Sequence, residues 1–135
     1  MVAVILIYQL AASMAPSRPN GAEGKIMQRM GHVLALKPGT VEHYKELHAE
    51  VWDEVLATIT SANIRNYSIF LREPENLLFA YWEYVGNDFA ADMEALSRVP
   101  AMQEWWTICE PLQQPLDTRA DGEWWAPMEP VFLHL

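Results

Sequence analysis

Ile64-Arg-Asn-Tyr-Ser-Ile-Phe-Leu-Arg72 and Leu77-Leu-Phe-Ala-Tyr-Trp-Glu-Tyr-Val85, joined by Glu73-Pro-Glu-Asn76, decide the fold. Both runs are rich in β-branched and aromatic residues and the connection is short and polar, so the pair reads as an antiparallel hairpin. Period-two alternation puts Tyr67, Ile69 and Leu71 on one face, which aims the Tyr67 hydroxyl at the core and leaves it needing a partner there.

Upstream of the hairpin, the run from Met30 through Gly-His-Val-Leu-Ala-Leu-Lys37 is apolar and stops at Pro38-Gly39, as a first strand ended by a turn would. Thr40 then offers an N-cap. Val41, Tyr44, His48, Val51, Trp52, Val55 and Ile59 recur at helical steps, which predicts one amphipathic helix of roughly five turns. Downstream, Asn87-Asp88 can cap a second helix through Phe89, Met93, Leu96 and Val99, and Pro100 starts a further turn carrying Met102, Trp105 and Trp106. Pro111 to Pro127 is loop-like, and Pro130-Val-Phe-Leu-His-Leu135 can close as a final strand. The order β-α-β-β-α-β is the ferredoxin-like split arrangement of the α+β class, with helices over one face of an antiparallel sheet. The other face also needs cover, and so small a chain has nothing left to supply it. Two copies are therefore expected to pack sheet to sheet as a symmetric dimer.

With 135 residues, 51% of them hydrophobic, the chain can bury one core, so a single domain with short connections is expected. A net charge of −9 with nine scattered Lys and Arg argues against a nucleic-acid partner. Cys109 is the one cysteine; it can form no intramolecular disulfide and has no clustered zinc-ligand partners, which fits a reducing, cytosolic setting. The stretch Met1 to Ala15 superficially resembles a signal peptide but lacks its basic start and is too short to span a bilayer; it is therefore read together with the linker that follows it, as residues 1 to 26. They are expected to be an appended segment, disordered or loosely packed, ahead of one domain at residues 27 to 135, which holds seven basic and seventeen acidic side chains.

Tyr44, His48 and Trp52 stand four residues apart, so a continuous helix would hold an imidazole between two aromatic rings. An imidazole titrating near ~6.5 can exchange protons at neutral pH, and flanking aromatics suit a ligand with hydroxyls and C–H faces, such as a sugar. The competing interpretation is a satisfied core histidine. The adjacent pair Trp105-Trp106 cannot share one helix face; one ring can anchor the core while the other enters a cleft. Metal binding is not indicated, because His43 and His48 are five apart and His32 and His134 fall on strands. No phosphate loop, Ser-His-Asp signature or haem motif is visible. Glu50 and Glu54 are the carboxylates considered as partners of His48.

Taken in order, Tyr44-x-x-x-His48-x-x-x-Trp52, Asn66-Tyr67-Ser-Ile-Phe-Leu71, Asn76-Leu-Leu-Phe-Ala80, Trp105-Trp106 and Met128-Glu-x-Val-Phe132 resemble the L-rhamnose mutarotase family. The resemblance covers Met27 to the C-terminus, and Met27 falls where proteins of that family usually begin. It implies a cofactor-free dimeric α/β barrel that interconverts the α and β anomers of L-rhamnose. It also implies that His48 is the proton donor and that Tyr44, Tyr67, Trp105 and Trp106 bind the sugar. In that chemistry His48 protonates the ring oxygen, while the base is open between Tyr44, Tyr67, a water and a carboxylate. L-Fucose is the alternative 6-deoxy sugar. A cofactor-independent monooxygenase, detected by oxygen uptake, and a sugar-binding protein without anomer exchange are the alternatives from other classes.

Overall fold

The computed structural model describes residues 27 to 135, and the expectation for residues 1 to 26 lies outside the described residues. Strand β1 (Gln28–Leu36) is followed by helices α1 (Val41–Ala49) and α2 (Asp53–Ser61), strands β2 (Ile64–Arg72) and β3 (Leu77–Tyr84), and helices α3 (Phe89–Ser97) and α4 (Pro100–Cys109). A single 3-10 turn, Glu110–Leu112, leads to the short strands β4 (Gln113–Gln114) and β5 (Ala126–Pro127). The sheet order is β2-β3-β1-β4, with β5 also on β1, and every pairing is antiparallel. This is the expected split arrangement, with the first expected helix divided in two and the new turn expected at Pro100 formed as α4.

Alternation along β1 buries Met30, His32, Leu34 and Leu36 on one face. Leu34 and Leu36 pack with Leu78 of β3 and with Val41 and Tyr44 of α1. Ile64 of β2 packs with Val55, Met93, Leu96, Met102 and Trp105 from the other three helices. The opposite face presents the row Val33, Phe79 and Phe70, in register across three strands, and Phe70 is 64% exposed.

Three details depart from the sequence reading. The long helix breaks at residues 50 to 52: Glu50 takes φ −136°, and Trp52 is extended, capping α2 with its carbonyl on the Val55 and Leu56 amides. Asp53 and Glu54, in the first turn of α2, suit the positive end of a new helix dipole. Thr40 makes no side-chain cap; its hydroxyl instead donates to the Lys37 carbonyl at 2.7 Å, tightening the turn. No strand forms at 130 to 135; the sheet edge is taken by β4 and β5, and Val131, Phe132 and Leu135 are exposed. Asp88 does cap α3, accepting the Ala91 amide at 3.2 Å.

The hairpin is antiparallel as expected, with a register shift between Arg65 and Ser68. Asn66 sits in that irregularity at φ 50°, its amide donating to Glu83 Oε1 at 2.8 Å. The extra residue resets the alternation, so Ile64 and Tyr67 both face inward although three positions separate them. Asn tolerates this left-handed backbone and a β-branched residue does not. Asn66→Val should therefore lower unfolding free energy by about 1–3 kcal/mol in a urea titration. Asn66→Gly should lose only the side-chain bond, about 1 kcal/mol; equal losses for the two variants would contradict the backbone account.

Candidate active site

Between the inner sheet face and the helices lies a cavity of about 400 Å³, a size usual for small-molecule sites. All five residues singled out from sequence line it: Tyr44 and His48 from α1, Tyr67 from β2, and Trp105 and Trp106 from α4. Trp105 is buried and Trp106 partly so, yet both rings reach the cavity.

The imidazole of His48 stacks on Tyr44 (centroids 4.1 Å, 24° between planes) and meets the edge of Trp105 at 5.3 Å. Trp52 does not flank it, as a continuous helix would require. After the break, Trp52 packs edge-on against Trp105 at 5.3 Å, so Trp105 takes the place expected for Trp52. His48 Nδ1 lies 2.8 Å from the Tyr44 carbonyl, which can only accept, so Nδ1 carries the hydrogen and the neutral ring keeps its lone pair on Nε2. Burial lowers the His48 pKa below 6.5, and the carbonyl bond, which favours the charged ring, offsets this only in part. Glu50 and Glu54 make no hydrogen bond or ion pair with His48; its orienting partner is backbone.

The phenols are held as proton donors. Burial, reinforced by Tyr67, pushes the Tyr44 hydroxyl well above 10. Tyr67 is 45% exposed as a residue, but its hydroxyl end is enclosed, and burial pushes that group up to about 12. No hydrogen bond to the Tyr67 hydroxyl forms among the described residues, so the partner it needs can come from a ligand. The Tyr44 hydroxyl is set by a chain absent from the sequence reading. Trp124 Nε1–H, a donor only, bonds to Gln113 Oε1 at 2.8 Å, which turns the Gln113 amide N–H toward the Tyr44 oxygen at 3.4 Å. Tyr44 thus accepts from Gln113 and keeps its own hydrogen for a ligand.

Three other groups at the cavity were not placed there by the sequence reading. Glu110 lines the cavity with Oε1 buried and without a hydrogen-bond partner, so it, rather than Glu50 or Glu54, is the carboxylate at the site. Its signal was its place one turn beyond Trp106. Burial, helped by Glu110, pushes the Cys109 thiol up to about 12, which makes it a packing group and not a nucleophile. His32 also faces the cavity, and burial lowers its pKa to about 4. Its sequence signal was alternation on β1 with Met30, Leu34 and Leu36. Among the described residues no three His, Cys, Asp or Glu side chains group as a metal site.

Fold and cavity together define a small ferredoxin-like α+β protein with a pocket lined by aromatic rings, two buried imidazoles and two phenols held neutral by burial. The L-rhamnose mutarotase family pattern matches residues 29–134. The chain is 34% identical over 107 residues to the L-rhamnose mutarotase of Sinorhizobium fredii, covering 78% of this chain and 97% of that protein. With the Listeria monocytogenes L-rhamnose mutarotase it shares 33% over 88 residues, covering 65% and 82%. The crystal structure of an L-rhamnose mutarotase from Formosa agariphila superposes with a TM-score of 0.63 at 27% identity, over 80% of this chain and 99% of that one. The chain belongs to the L-rhamnose mutarotase family.

The buried imidazoles make stability depend on pH. His32 titrates near 6.5 when unfolded and near 4 when folded, so between these values unfolding takes up a proton and acid favours the unfolded state. Urea unfolding free energy should fall between pH 7 and pH 5, by on the order of 2 kcal/mol from His32 alone. His48 acts in the same direction. His32→Phe should flatten this dependence, and an unchanged slope in the variant would refute the assignment.

Proposed function

We propose that this chain interconverts the α and β anomers of L-rhamnose, with His48 as the proton carrier. The carrying observation is the Nδ1 bond to the Tyr44 carbonyl, which leaves the free lone pair on Nε2 of a neutral imidazole whose residue lines a sugar-sized aromatic cavity. On ring opening, the anomeric O–H gives its proton to Nε2. The bond from C1 to the ring oxygen breaks as C1=O forms, and the imidazolium then protonates the ring oxygen, the acid step expected of His48. Rotation about C1–C2 presents the other aldehyde face, and closure runs the steps backward. The Tyr44 and Tyr67 hydroxyls donate to sugar oxygens, and Trp105 and Trp106 cover the C–H face and exclude water. As a family member the protein is an isomerase acting on carbohydrate. L-Rhamnose is favoured over L-fucose by the names of its relatives, and the family match runs against the monooxygenase and pure-binding alternatives.

NMR saturation transfer between the L-rhamnose anomers tests this reading. His48→Ala should lose about 10²–10⁴ in rate, and full exchange in the variant would remove His48 from the mechanism. For the wild type, kcat/KM should fall as pH drops through the lowered His48 pKa, below 6.5, because protonation removes the Nε2 lone pair. A rate rising with acidity would contradict this direction.

We also assign the protein to the cytoplasm as a homodimer. One free, buried cysteine fits a reducing compartment. The outward row Val33, Phe79 and Phe70 presents apolar surface on the sheet face away from the cavity, and a second copy is the occupant a ferredoxin-like sheet of this kind accommodates. Sedimentation should give a dimer mass for the wild type and a monomer for Phe70→Glu; a monomeric wild type would end the dimer proposal.

A further inference from the structure

His32 is only 5% exposed, and it has neither a protein hydrogen bond nor an ion pair among the described residues. A buried imidazole in that position forfeits hydration at both nitrogens, so a core histidine normally finds a donor or acceptor inside the protein. Its ring neighbour is an indole: His32 stacks on Trp82 at 5.9 Å and 8°, and Trp82 stacks in turn on Phe89 at 6.0 Å and 10°. The parallel, offset indole orients the plane of the imidazole, and the ring's polar groups lie at its edge. Neither ring nitrogen is sealed off as Glu110 Oε1 is, and the small remaining exposed surface belongs to a residue of the cavity wall.

His32 stands on the sheet wall, whereas His48 stands on the helical wall of the same cavity. We propose that His32 is a substrate-binding residue whose ring edge hydrogen-bonds a non-anomeric hydroxyl of the sugar and selects among sugars by hydroxyl position. The assignment rests on the mutarotase reading and adds to that site a specificity contact outside the proton path. A neutral imidazole has one N–H donor and one acceptor nitrogen, the same complement a hydroxyl offers in return. Its pKa, lowered to about 4 by burial, keeps the ring in that neutral form at physiological pH and makes it a poor general base. A hydrogen bond to a buried polar group discriminates strongly against a ligand lacking the matching hydroxyl, because the protein group is then left unpaired.

The test uses His32→Phe, which keeps a flat ring on Trp82 and removes both nitrogens. Anomer exchange is measured for L-rhamnose and for its 2-, 3- and 4-deoxy analogues. The expected result is at least a tenfold loss in kcat/KM on L-rhamnose, carried mainly by KM, with no loss on the one analogue that lacks the contacted hydroxyl. Wild-type kcat/KM in His32→Phe, or an equal loss on all four sugars, would overturn the proposal. His32→Gln, which restores a donor and an acceptor, should recover part of the loss on L-rhamnose; a loss equal to that of His32→Phe counts against a hydrogen-bonding role. In the wild type, saturating L-rhamnose should shift the His32 ring ¹⁵N resonances, and unmoved resonances would overturn the proposal even where a variant fails to fold. Exchange by the wild type with none of these His32 effects removes this contact alone, whereas a wild type that exchanges no anomers removes the mutarotase reading and the contact with it.

Discussion

The indole of Trp105 lies edge-on to both His48 and Trp52, each at 5.3 Å, and so joins the end of α1, the start of α2 and the body of α4 around one buried ring. The site depends on this contact. Trp105 meets the imidazole edge-on, while Tyr44 supplies the ring stacked on it. The contact also accounts for the break between α1 and α2, since Trp52 reaches the indole from an extended N-cap position rather than from a helical turn. Removing such a ring would open a void in a close-packed interior and release both neighbours, a change of several kcal/mol.

Around that ring, burial sets the protonation states. It holds both phenols in their neutral, donating form and both imidazoles in their neutral form at pH 7. Hydrogen-bond direction then sets the orientation. The Tyr44 carbonyl fixes the tautomer of His48, and Trp124 fixes the amide of Gln113, which in turn fixes the hydrogen of Tyr44. A pocket prepared in this way can move a proton between two oxygens on one sugar carbon with little reorganisation.

The hairpin, the first strand and the cap at Asp88 were legible because each rests on local rules of alternation, turn chemistry and capping. The five residues read as a site also converge on one cavity. The helix break was not legible, because the apolar stripe runs through Glu50 to Trp52 without Gly or Pro, and only the acidic pair Asp53-Glu54 marks a new start. The final strand failed for the opposite reason. Its run Val131-Phe132-Leu133 is made of strand formers, but the edge of β1 is already taken by β4 and β5.

The sequence by itself determined the first strand, the hairpin and the helical segments around it, and the five residues that meet at one cavity, since periodicity and residue chemistry are local properties. Only the tertiary structure decided that Trp105 rather than Trp52 flanks His48, that Gln113 and Trp124 orient Tyr44, and that Glu110 and His32 belong to the same cavity. These residues are far apart in the chain or lie on different elements. What brings them together is the packing of helices on a sheet, which no short window of sequence contains.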